Sequence, residues 1–107
     1  MFGFKSKVKS VLRDQFNYIP GPFQGPIFKT VCREANRKGV NEYDAAIMFM
    51  MVQMNSLSGD TDDVKTFVRS HANNIRNVLS LAQSPSLDFA VMLSKIEAKH
   101  GLASVQA

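Results

Sequence analysis

Residues 41–59, NEYDAAIMFMMVQMNSLSG, decide the fold. Asn41 is a good N-cap, because its side-chain oxygen accepts from the unpaired N–H groups of a first helical turn. Glu42 and Asp44 follow where the positive end of the helix dipole favours acids. From Ala45 to Met54 only Gln53 interrupts the apolar residues. A helix that is apolar all round has no face for water, so other elements must touch it on several sides. The reading is therefore an all-α bundle around a central third helix at about 41–57, closed by Asn55 to Gly59.

The flanking segments supply four helices to surround it. Upstream, a helix is expected over 26–38. Pro26 suits its first position, where the missing N–H has no acceptor anyway, and Gly39 ends it by taking the left-handed conformation cheaply. Ile27, Phe28, Val31, Cys32 and Ala35 form its inward side, with Lys29, Arg33, Arg37 and Lys38 outward. Before it, residues 4–17 place Phe4, Val8, Val11, Leu12 and Phe16 at helical spacing opposite Lys5, Lys9 and Arg13. The prolines of Ile19-Pro20-Gly21-Pro22 stop that helix. The Pro/Gly-rich loop at 19–25 is expected to lie across the core, held by Tyr18, Ile19 and Phe23.

Downstream, Asp60 is read as the cap of a helix at 61–83. Val64, Val68, His71, Ile75, Val78 and Ala82 alternate four and three apart, and Phe67, Leu79 and Leu81 widen the stripe. Ser84-Pro85 ends it and opens the fifth helix, 85–100, with Phe89, Met92, Leu93 and Ile96 inward. Lys95, Lys99 and His100 stand near its negative end, and Gly101-Leu102 reads as a Schellman ending. Residues 103–107 are expected to fray. No segment has strand periodicity, and 107 residues make one domain, 1–107, large enough to fold without disulfide or metal. The single cysteine, Cys32, cannot close an internal bridge, which fits a reducing compartment. With no secretory signal and no apolar run near the length of a membrane span, the expected location is the cytoplasm.

Charge is distributed unevenly. Through Lys38 eight bases face only Asp14 and Glu34, whereas the remainder carries five bases against seven acids. The first two helices therefore present a basic face, with Lys5, Lys9, Arg13, Arg33 and Arg37 as candidate partner contacts. The second candidate surface is the third helix, where Met50, Met51 and Met54 share a face with Ile47. Polarisable methionines suit an adaptable apolar interface, for example between two copies of the chain, although they fill cores equally well.

Other chemistry is weakly supported. His71 and His100 lie 29 positions apart on different helices, and no catalytic residue is assigned. Asp60, Asp62 and Asp63 resemble an acidic calcium loop only superficially. Lys65 stands at the sixth position, where glycine is needed, and His71 at the twelfth, where glutamate belongs. The glycine-proline pairs at 21–22 and 25–26 lack the free N–H groups of a nucleotide loop. No cofactor, metal or small-molecule substrate is expected. The 26–38 and 41–57 helices are joined by a short turn, as in a helix-turn-helix, but the second would lead with Glu42, Tyr43 and Asp44 into a phosphate-lined groove. The expected function is a non-enzymatic helical interaction module with a protein partner, a second copy of the chain included. The alternative is a nonspecific nucleic-acid or anionic-surface binder using the basic face. A peripheral membrane contact through the first helix ranks lower, since the same pattern describes a helix docked on its own domain.

Overall fold

A computed structural model describes residues 3–83 and 89–102. Five α-helices account for most of them: α1 (Phe4–Phe16), α2 (Gly25–Lys38), α3 (Glu42–Ser56), α4 (Asp62–Val78) and α5 (Phe89–Lys99), with no strand among the described residues. The all-α reading holds. So does the placement of α3, which touches all four other helices. Ala45, Ala46, Ile47, Phe49, Met50 and Met54 are fully buried there, and Met51 nearly so.

Local chemistry explains most of the ends. At α3 the Asn41 side chain accepts the N–H groups of Tyr43 and Asp44, both at 3.0 Å, while the Asp44 carboxylate accepts the Asn41 N–H. This reciprocal box satisfies donors that would otherwise be orphaned. Gly39 takes φ 74° and turns the chain out of α2. The Schellman ending of α5 is complete: the Leu102 N–H reaches the Glu97 carbonyl at 2.9 Å and the Gly101 N–H reaches Ala98 at 3.1 Å. Leu102 folds back and is buried.

Four expectations are corrected. The cap of α4 is Thr61 rather than Asp60, with its hydroxyl accepting the Val64 N–H. The α-helical ladder of α4 stops at Val78, and a 3-10 turn, Leu79–Leu81, carries the chain onward. There Asn41 donates its side-chain amide to the Leu81 carbonyl at 2.8 Å, and Asp44 accepts the Gln83 N–H at 2.9 Å. The end of α4 is thus drawn over the start of α3, leaving Leu81 exposed. Third, the apolar residues of the 19–25 loop do not cover the core; Tyr18, just before it, packs on Phe49 and His71 at ring separations of 6.0 Å. Ile19 is 78% and Phe23 97% exposed. The loop is fastened instead by Gln24, whose side chain accepts the Gly21 N–H and donates to the Tyr18 hydroxyl and to Gln53 of α3. A 3-10 turn at Pro22–Gln24 points Phe23 away from that anchor. Fourth, Ile27 and Met92, expected inward, are about two-fifths exposed at the rims of α2 and α5. The expected Ser84-Pro85 junction and the fraying of 103–107 lie outside the described residues.

Two long-range polar clasps hold the C-terminal half. Arg76 of α4 grips the buried Glu97 of α5 with two bonds of 2.6 and 3.0 Å, the fork geometry that makes Arg–carboxylate pairs strong. The Glu97 hydrogen bond holds the Arg76 guanidinium above its usual range. His100 is fully buried, with Nδ1 2.7 Å from the Gly59 carbonyl and Nε2 2.9 Å from that of Met54. It therefore joins the end of α5 to the end of α3 and to the loop before α4.

A basic cleft between the first two helices as candidate interface

The helical repeat puts Lys5, Lys9 and Arg13 in one row along α1, each a turn after the last. The same spacing joins Lys29, Arg33 and Arg37 on α2. Packing brings part of the two rows together. A cleft of ≈ 530 Å³ lies between the first turn of α1 and the middle of α2, and Lys5, Lys29 and Arg33 line it with Ser6, Cys32 and Asn36. Lys9 stands one turn further on, its ammonium 5.6 Å from the centre of the Phe28 ring, within cation–π range. Among the described residues none of Lys5, Lys9, Lys29 or Arg33 makes an ion pair.

The other two basic candidates are not part of this group. Arg13 bonds Asp14 at 3.1 Å and borders a separate hollow with Lys9, Tyr18 and Ile19. Arg37 is held 2.7 Å from Glu34, which keeps that carboxyl below its usual range. Lys29 was missed as a contact residue, although it precedes Arg33 by one helical turn. That spacing was the available signal.

Cys32 sits under the cleft, 2% exposed. Burial pushes its thiol pKa up, and Lys5 and Lys9 pull it only part of the way back. A thiolate nucleophile is therefore disfavoured.

The methionine surface is corrected. Met50, Met51 and Met54 are 0%, 3% and 0% exposed, so they present no apolar face to a partner and belong to the core. The helix they occupy touches the four other helices, and of the three only Met51 reaches the floor of a groove, beside Met48. The apolar surface nearby is carried by Val52 and Met92, at the edge of a groove of ≈ 400 Å³ between α3 and α5.

His71 stands among Phe67, Tyr18 and Phe16, at ring separations of 4.5, 6.0 and 6.3 Å. Burial lowers its pKa, and its buried Nδ1 has no hydrogen-bond partner. Asp60, Asp62 and Asp63 are exposed. No group of three or more potential metal ligands occurs among the described residues, and no described helix is long and apolar enough to cross a membrane. No protein-family model, curated protein or solved structure matches the chain.

Proposed function

We propose that this chain is a non-enzymatic binding module that meets an acidic partner with its α1–α2 face. One observation carries the reading: Lys5, Lys9, Lys29 and Arg33 are gathered from two helices and make no ion pair among the described residues. Concentrating like charge destabilises a fold by self-repulsion, and an oppositely charged partner relieves it. The partner class is a polyanion, either an acidic protein surface or a nucleic-acid backbone. Sequence-specific groove reading by α3 is disfavoured, because that helix is enclosed in the core and cannot enter a groove.

Retention on a polyanion column, measured against salt, tests the reading. Changing Lys5, Lys9, Lys29 and Arg33 together to Gln is expected to remove most of the retention and flatten its salt dependence. The charge-matched control changes the exposed Lys7, Lys38, Arg69 and Lys95 to Gln. Equal losses in the two variants would reduce the effect to net charge and overturn the assignment to this face.

A further inference from the structure

Two of the clefts along α1 differ in charge balance. On one side Lys7 shares a hollow of ≈ 430 Å³ with Asp14 and Glu42, so cation and carboxylates face the same water. On the other, the ≈ 530 Å³ cleft has Lys5, Lys29 and Arg33 on its walls and no acidic residue. Its remaining polar groups are donors or can donate: the Ser6 hydroxyl, the Asn36 amide and the Cys32 thiol. That thiol is buried and lines the cleft. The backbone adds to the same sign. Gly3 caps α1 without a side-chain acceptor, and the first intrahelical acceptance is from Lys7, so the earlier N–H groups of the first turn have no partner within the helix.

From this geometry we infer that the α1–α2 cleft is a binding site for a phosphate monoester group. The inference rests on the reading of the α1–α2 face as the contact for an acidic partner and names the chemistry that face selects. Arg33 supplies the planar fork that matches two phosphate oxygens, and Lys5 and Lys29 act as point charges on the remaining oxygen. A monoester carries close to two charges at neutral pH, against one for a carboxylate or a phosphodiester, so three cations discriminate in its favour. The cleft holds more than the phosphate alone, and Phe4 in its lining gives an attached carbon skeleton something apolar to meet. Free phosphate and a lipid headgroup share this chemistry.

The experiment is a titration of the full chain followed by amide resonances, at constant ionic strength, with inorganic phosphate, with acetate, and with vesicles containing phosphatidic acid or phosphatidylglycerol. Saturable shifts confined to Lys5, Ser6, Lys29, Arg33 and Asn36 are expected with phosphate, and none that saturate with acetate. Arg33→Gln is expected to weaken phosphate binding about tenfold, the usual cost of a lost charge-assisted hydrogen bond. Arg33→Lys should recover part of it, and Ser6→Ala should weaken it about threefold. All these side chains are exposed, so the variants keep the wild-type fold and its dispersed spectrum. Preference for phosphatidic acid over phosphatidylglycerol at equal surface charge identifies a headgroup as the source. Equal vesicle affinity together with saturable free phosphate identifies a soluble one. Shifts that spread over all basic residues, or that acetate reproduces, overturn the phosphate site even if polyanion retention persists. Loss of retention as well would overturn the wider reading of the face.

Discussion

The two halves of the molecule treat charged and polar groups in opposite ways. Around α4 and α5 two buried groups are closed by long-range bonds: Arg76 holds Glu97, and His100 reaches the Gly59 and Met54 carbonyls. The Asn41–Asp44 box likewise reaches across to Leu81 and Gln83. Around α1 and α2 the shared cleft collects Lys5, Lys29 and Arg33 and closes none of them. The first arrangement fixes a geometry, because a buried polar group without its partner is costly. The second contributes nothing to geometry and costs some stability in repulsion. The Arg76–Glu97 and His100 clasps therefore organise the C-terminal half, whereas the cations of the cleft stand available to a partner in the N-terminal one.

The strongest way to break this contrast is to open the Arg76–Glu97 clasp. Glu97→Ala leaves a guanidinium facing an apolar gap and is expected to cost about 2–4 kcal/mol, with Arg76's partial exposure keeping it towards the low end of measured losses from buried pairs. The double change Arg76→Met, Glu97→Leu should recover most of that. Urea midpoints of the three proteins decide it: a Glu97→Ala midpoint within error of wild type would show that the clasp organises nothing.

His100→Phe comes next. Both ring nitrogens of His100 face carbonyl oxygens, so whichever carries hydrogen donates to a carbonyl. Phenylalanine fills the space but donates to neither carbonyl, so a loss of about 2 kcal/mol is expected by urea unfolding. The effect should appear first as faster amide exchange where α3 runs into the loop before α4.

His71 separates the halves by pH. Its pKa is lowered by burial among Phe67, Tyr18 and Phe16, so the folded chain prefers the neutral ring. The unfolded chain takes up the proton first as pH falls through the ordinary histidine value of about 6.5. Stability is therefore fully present above that value and declines below it, until the folded ring also protonates. Melting temperatures between pH 8 and pH 5 should fall in the wild type and fall less in His71→Phe. Parallel curves would remove His71 from the acid response.

How far these features could be read in advance depends on how local their physics is. Asn41, Gly39 and the Gly101-Leu102 ending were legible because each acts within one turn of chain. The choice between Asp60 and Thr61 as cap was not, since adjacent residues with side-chain oxygens offer the same chemistry until the chain direction is known. Composition made the 19–25 loop look like a core cover, yet its course is set by Gln24 bonding Tyr18 and Gln53, a side-chain network without periodic signature. The Arg76–Glu97 pair, 21 residues apart, is equally invisible to helical spacing. In the cleft, Lys5 and Arg33 were legible as basic residues on outward faces. Their meeting was not, because it depends on how closely α1 packs on α2.

The smallest expected change in stability is also the sharpest test of the contrast. Lys5 stands in the first turn of α1, where a cation opposes the helix dipole and no acid compensates. By stability alone the position calls for Glu. Lys5→Glu should therefore raise stability by about 0.3–1 kcal/mol, through the dipole and through relief of repulsion with Lys29 and Arg33. The same change puts a carboxylate into the cleft and should abolish phosphate binding and most polyanion retention. Opposite signs in the two measurements are what a residue kept for a partner would give, since stabilising changes at binding sites commonly cost function. If Lys5→Glu destabilises the chain, the lysine has a structural role, and the division between the two halves fails at its most exposed point.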